Sequence, residues 1–278
     1  MRLYSEIFLP KQSLSDSSCP TLVFLHGLLG NGRDWRHVID ELSHDYPCIT
    51  LDLPGHGFSV EAISTSFEQV TQAILETLAA RNIERYILIG YSMGGRLAMH
   101  TVCQPLLTPN ATLQTSQSSL LGALLGVVIE GGNPGIEPEL QAARWNNDTH
   151  WARRFDSEPL PQVLADWYQQ SVFSSLNYDQ RQSLIVKRSH NSGSGVARML
   201  LATSLAKQPQ LAAVLPQVTT PMLYICGKKD QKFCELATQL ATQLDLDYTI
   251  IEQAGHNVHV EAPHAFAAQI RTFIQSVS

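Results

Sequence analysis

The sequence predicts an α/β fold, with a mostly parallel central sheet flanked by helices and a helical insertion late in the chain. Three observations carry that prediction. Short apolar, β-branched runs recur and end in glycine or in polar, chemistry-bearing residues: LVFLHG (22–27), CITLDLPGHG (48–57), YILIGYS (86–92), GVVIEGG (126–132), MLYICGKKD (222–230) and YTIIEQAGH (248–256). Helical patterns lie between several of these runs, and runs apolar on both faces require a layer on each side of the sheet. The alternation then breaks over 133–208, which is rich in Trp, Arg, Gln and Asn and carries no convincing strand.

Taken in order, the run at 22–27 opens the sheet and leads into a loop where Asp34, in NGRDW, reads as a helix cap or first-turn acid. The run at 48–57 follows; its Asp52 and His56, like His26 before them, read as residues that brace loops and turns. In SFEQVTQAILETL, Phe67, Val70, Ile74 and Leu78 share one helical face, and Ser66 with Gln69 reads as a capping box. YILIG is the next strand, and RLAMHTVC after it is a helix. The polar stretch TPNATLQTSQSS (108–119) reads as a surface loop, and LLGALLGVVI (120–129) as a buried strand. At ten residues it is well short of the roughly 20 needed to cross a bilayer. PLPQVLADWYQQ and DQRQSLIVKRS are helical stretches of the insertion. The expected division is therefore a core of 1–132 and 209–278 with an inserted helical lid of 133–208.

Composition narrows the function classes. Of 278 residues, 44% are hydrophobic and 16% charged, which suits a globular core rather than disorder or fibre. A net charge of −6 argues against a nucleic-acid partner. The N-terminal MRLYSEIFLPKQ lacks a basic stretch followed by an apolar core, so a cytoplasmic location without membrane insertion is expected. Five scattered cysteines without a CxxC pair suggest neither a disulfide framework nor a zinc site. Cys103 and Cys226 read as small buried residues. No cofactor or metal is called for, and a monomer is expected.

The chemistry centres on Gly90-Tyr91-Ser92-Met93-Gly94, a G-x-S-x-G pattern at a strand-to-helix turn. Such a turn strains the serine backbone, lifts its hydroxyl into a cleft and excludes side chains two residues away on either side. The serine needs a base and the base an orienting acid, in the order Ser, Asp, His. Asp230 and His256 each follow a predicted strand, at the edge where open α/β sheets build their sites. Ser92, Asp230 and His256 therefore form the candidate catalytic triad. The Leu28 and Met93 N–H groups are the candidate oxyanion donors. His259 and His264 read as helix N-terminal or surface residues.

Through HGLLG, DLPGHG, GYSMGG, GKKD and AGHNVH the chain resembles the α/β-hydrolase superfamily over nearly its whole length. Through IEGGNPGI (129–136), ARRFDSEPLPQVLADWYQQSVFSSLNYDQR (152–181) and LATSLAKQPQL (201–211) it is similar to the pyruvate-eliminating synthases of menaquinone biosynthesis. That resemblance implies that Tyr91 lines the site and that Arg144, Trp167 and Arg188 of the lid bind a small polycarboxylate. It also implies that the 108–119 loop is longer than usual for the family. Charge is consistent with this, because 133–208 holds eight Lys and Arg against seven Asp and Glu inside an acidic chain. Arginine forks match carboxylate oxygens. If the two arginines project into the cleft, their removal leaves folding intact. A hydrolase of a small ester or a carbon–carbon bond remains the alternative with the same triad, and a non-catalytic receptor is disfavoured by the intact triad.

Overall fold

A computed structural model of the chain describes residues 1–10, 19–107, 124–244 and 246–277. Seven strands form one sheet: β1 (Ser5–Phe8), β2 (Thr21–Leu25), β3 (Cys48–Leu51), β4 (Tyr86–Tyr91), β5 (Leu124–Glu130), β6 (Met222–Gly227) and β7 (Asp247–Ile251). Their order is β1-β3-β2-β4-β5-β6-β7, with only β1 antiparallel to its neighbour. Six strands match the six apolar runs of the sequence. The seventh, SEIF, is too short and too polar to stand out, and it is held by pairing with β3 from Ser5 opposite Leu51 to Phe8 opposite Cys48.

Strand periodicity divides the core into two layers. Val23, Leu25, Leu88, Val127, Ile129 and Tyr224 face one side, packed under α2 (Phe67–Ala80), α3 (Met93–Leu107) and α8 (Gln231–Leu244). Leu22, Phe24, Ile87, Ile89, Val128 and Ile225 face the other, under α1 (Arg36–Leu42) and α10 (Pro263–Val277). Phe67, Val70, Ile74 and Leu78 of α2 are all buried, as their spacing predicts. Ser66 Oγ accepts the Gln69 N–H at 3.4 Å. The Gln69 side chain, however, accepts from Thr65 rather than closing the box on Ser66.

Between β5 and β6 lie α4 (Pro138–Ser157), α5 (Leu160–Trp167), α6 (Tyr178–Arg188) and α7 (Gly193–Ala202), followed by two 3-10 turns. They share a separate apolar cluster that includes Phe155, Leu164, Tyr168 and Leu200 and takes in Leu29 from the loop after β2. The strand predicted at 120–129 is described from Leu124 onward; its first four residues and the predicted 108–119 loop lie outside the described residues. No helix among the described residues is long and apolar enough to cross a membrane.

Candidate active site

The parallel register brings several strand ends to one edge: Leu25 lies opposite Gly90, Tyr91 opposite Glu130, Glu130 opposite Ile225 and Gly227 opposite Ile251. The segments after β2, β4, β6 and β7 carry His26 to Leu29, Ser92, Asp230 and His256. Register alone thus gathers residues up to 230 positions apart, counting from His26 to His256.

Ser92 follows β4 in the left-handed region, at φ 51°. Its N–H donates to the Glu130 carbonyl at 2.7 Å, and its own carbonyl accepts the Arg96 N–H one helical turn later. The glycines around it have no room for a side chain. A Cβ on Gly90 would lie 2.3 Å from the Gly94 carbonyl oxygen, and one on Gly94 would lie 2.2 Å from that of Leu25. β4 and α3 can meet at so tight an angle only because both positions are bare.

Asp230 closes a turn onto the Gly227 carbonyl and heads α8, where Oδ1 accepts the Phe233 N–H at 3.4 Å. Its Oδ2 lies 2.6 Å from His256 Nδ1, with both side chains buried. An acid on Nδ1 fixes the ring orientation and leaves Nε2 as the proton-accepting nitrogen of the neutral ring. Gly131, at φ 58°, gives the ring its place, since a Cβ there would stand 2.9 Å from the imidazole. Phe233 and Tyr91 pack on His256 at centroid distances of 4.8 and 5.2 Å. Glu261 braces the loop from both sides, accepting the Gly255 N–H at 2.9 Å and the Asn257 N–H at 3.3 Å.

The loop that carries Leu28 is held by two neutral histidines. Leu53 N–H donates to His26 Nε2 at 2.9 Å, and Leu29 N–H donates to His56 Nε2 at 3.1 Å. The opposite ring nitrogens face the carbonyls of Gly27 and Pro54. Burial pushes His26 down to about 4 and His56 down to about 3, so both stay uncharged at neutral pH. Asp52 ties the same region together, accepting the N–H groups of Gly32 and Phe58. These three are bracing residues, as their sequence context suggests. Cys103 and Cys226 are buried free thiols, and His264 is exposed beside Glu41.

Of the residues in the insertion, Trp167 meets Trp151 edge-on at 5.0 Å and Phe155 at a tilt at 5.3 Å. Arg144 is two-thirds buried, and its Nε donates to both oxygens of Asp148 at 2.8 and 2.9 Å. Arg188 sits deeper, its guanidinium forked onto Asp34 at 2.9 and 2.8 Å. Asp34 also accepts the Asn31 N–H of a capping box and pairs with Lys187 at 2.7 Å. Burial alone would raise the Asp34 carboxyl, but Arg188 and then Lys187 outweigh it and hold it well below the usual range. The capping role expected of Asp34 is present; its grip on the lid is additional.

Two features escaped the sequence reading. Arg96 lies four residues after Ser92, one helical turn on, and donates to the Thr203 carbonyl at 2.7 Å. Burial and then the charge of Arg144 push it down to about 9, opposed by Asp148. GYSMGGR carries the signal, since the arginine falls in the first turn of the helix that follows the serine. His259 is the second. It stands in the first turn of α9 (Val258–Glu261), as expected of a helix N-terminal residue, but its ring is buried and bonded to Glu130 rather than exposed, because the fold turns α9 in against the sheet edge.

Residues 22–269 match the α/β-hydrolase family model. The chain is 47% identical to the 2-succinyl-6-hydroxy-2,4-cyclohexadiene-1-carboxylate synthase of Serratia proteamaculans over 92% of its length and 93% of that protein's. It is 45% identical to the synthase of the same name from Yersinia enterocolitica, covering 97% of this chain and 92% of the relative. Among solved structures, MenH from S. aureus superposes with a TM-score of 0.84 at 26% identity, covering 99% of each chain. Strand order, the serine turn and identity running through core and insertion alike agree: the chain belongs to the α/β-hydrolase family and, within it, to the family of 2-succinyl-6-hydroxy-2,4-cyclohexadiene-1-carboxylate synthases.

Proposed function

We propose that the protein eliminates pyruvate from 2-succinyl-5-enolpyruvyl-6-hydroxy-3-cyclohexene-1-carboxylate, giving 2-succinyl-6-hydroxy-2,4-cyclohexadiene-1-carboxylate in menaquinone biosynthesis. The observation that carries this reading is the 43–47% identity to synthases of that product, which spans the helical insertion as well as the core. The triad by itself does not choose a reaction.

The Asp230–His256 pair and the left-handed Ser92 turn support the following chemistry. His256, oriented by Asp230, draws the proton from Ser92 Oγ, and the oxygen takes the ring proton next to the succinyl ketone. Negative charge moves to the ketone oxygen, where the Leu28 and Met93 N–H groups stabilise it as they would a tetrahedral oxyanion. Collapse of the dienolate forms the second ring double bond and breaks the bond to the enolpyruvyl oxygen. The enolpyruvate released takes a proton and becomes pyruvate. No bond to carbon forms on Ser92. Substrate carboxylates meet two groups of cations, Arg96 with Arg144 at one end and Arg188 at the other, while Tyr91 and Trp167 supply apolar walls.

Coupling pyruvate release to a dehydrogenase tests the reading. Ser92→Ala and His256→Ala should each lower turnover by about 10² or more, and Asp230→Asn comparably through loss of the correct tautomer. Intact mass during turnover should show only the unmodified chain. A substrate-sized adduct on Ser92, or ester turnover without pyruvate release, would replace the lyase by a nucleophilic hydrolase.

A further inference from the structure

Two buried acid–imidazole pairs stand at the carboxyl edge of the sheet. One is Asp230 with His256; the other, Glu130 with His259, takes no part in the reaction as written above. Glu130 is the last residue of β5 and is 0% exposed; His259 is 3% exposed. The Glu130 carboxyl accepts the His259 main-chain N–H at 3.1 Å and faces His259 Nδ1 with both oxygens, at 2.9 and 2.8 Å. The imidazole lies between the rings of Trp35 and Tyr91, at 4.3 and 4.7 Å, with Phe266 beyond. Filling such a site with a polar pair is costly, since apolar residues of similar volume are often as stabilising or more so. The pair therefore needs a reason other than packing.

Its connections supply one. The main-chain oxygen of Glu130 holds the Ser92 N–H, while its carboxyl holds a residue three positions beyond His256. Tyr91, the neighbour of Ser92, touches both imidazoles and donates its hydroxyl hydrogen to Asn257, the neighbour of His256. Glu130 thus spans the two arms of the triad, and His259 with Tyr91 wedges them at a set separation. We propose that Glu130 and His259 are positioning residues, which fix the Ser92 turn against the His256 segment so that the proton passes between serine and imidazole. The proposal rests on Ser92 and His256 being the reacting pair and not on the identity of the substrate.

Four variants test it: Glu130→Gln, His259→Asn, His259→Phe and, as a destabilised control in the layer on the other face of the sheet, Leu78→Ala on α2. Each is assayed well below its thermal midpoint for kcat and KM of pyruvate release. Each is also assayed for the rate at which phenylmethylsulfonyl fluoride sulfonylates Ser92, which reads the serine–histidine poise without substrate carboxylates. An ångström of misplacement can cost about 10²-fold in rate. In Glu130→Gln and His259→Phe, kcat and the sulfonylation rate should fall together by about ten- to a hundred-fold, with KM changed less than about threefold. Asparagine keeps an N–H near the place of Nδ1–H, so His259→Asn should retain most of the sulfonylation rate that His259→Phe loses. Leu78→Ala should lose stability and keep both rates. Wild-type rates in folded Glu130→Gln and His259→Phe would reduce the pair to a structural element, as would equal losses in the two His259 variants. A wild-type chain that releases no pyruvate but is sulfonylated would overturn the proposed substrate and leave this inference to be decided by the sulfonylation rates. A wild-type chain inert to the reagent would overturn the inference itself.

Discussion

At the scale of single residues, the site depends on groups kept in states they would not adopt in an unfolded chain. Ser92 holds a left-handed backbone that costs an L-residue about 1–2 kcal/mol, a strain borne by the bond from its N–H to Glu130 and by the bare glycines around it. His26 and His56 are the other case. Both are buried without charge, and both titrate below the ordinary histidine value of 6.5, at about 4 and about 3. Between those values and 6.5 the unfolded chain binds more protons than the folded one. Stability from this source is therefore complete above about pH 6.5 and declines as pH falls toward 3–4. At pH 5 the loss should reach about 2 kcal/mol per histidine. Asp34 is held low in the folded state, so its contribution disappears only at more acid pH, and the interval from 7 to 5 belongs to the histidines. Urea midpoints at pH 7, 6 and 5 check this; constant stability across that range would mean that the two rings take up protons while folded.

At the scale of elements, the decisive contact joins α6 to the 3-10 turn Gly32–Trp35. Arg188 and Asp34 are both buried, so removing Asp34 leaves the Arg188 charge without its carboxylate, at a cost of about 3–5 kcal/mol, whereas removing Arg188 leaves Asp34 with Lys187 alone and costs less. The expectation that Arg188 could be lost without affecting folding therefore gives way. Arg188→Ala should lower both kcat/KM and the thermal midpoint, and Asp34→Ala should lower the midpoint at least as far. The double variant Asp34→Leu, Arg188→Met should be destabilised by less than the sum of the two single changes, because it removes both charges at once. Strictly additive urea free energies would show that the two side chains do not depend on each other. The same contact explains how the insertion is registered on the core. Leu29 enters the apolar cluster of the insertion, and its carbonyl accepts the Asn191 side-chain N–H at 2.9 Å. The loop of the candidate oxyanion donor and the helix of the candidate carboxylate binder are thus one packed unit.

At the scale of the whole molecule, core and insertion also meet where two glycines touch. A Cβ on Gly195 of α7 would lie 2.4 Å from the Gly55 carbonyl oxygen, in the loop after β3. Gly195 is not in the left-handed region, so close approach rather than backbone freedom excludes a side chain there. Gly195→Ala should push α7 off the core at a cost of about 1–3 kcal/mol and raise KM more than it lowers kcat, because the proposed carboxylate-binding arginines are divided between the core (Arg96) and the insertion (Arg144 and Arg188). Denaturation midpoints with steady-state kinetics measure both effects. A fully stable Gly195→Ala with unchanged KM would mean that the seam can part without disturbing the site.

Much of this was legible before any coordinates. Period-two and period-3.6 patterns reflect local sterics and burial, so six strands and α2 stood out. Chemistry confined to a few adjacent residues, as in GYSMGG, showed for the same reason. The order of Ser, Asp and His after successive strands sufficed to place the candidate triad, because a parallel sheet puts every strand's end at one edge. β1 was not legible, since its stability comes from its partner and not from its own four residues. Nor were the pairing of Arg188 with Asp34, 154 residues apart, or that of Glu130 with His259, 129 apart. A glutamate ending a strand and a histidine opening a short helix are ordinary surface residues in sequence. Only the register of β4 with β5, and the inward turn of the chain after β7, removes them from water and sets the two side chains against each other.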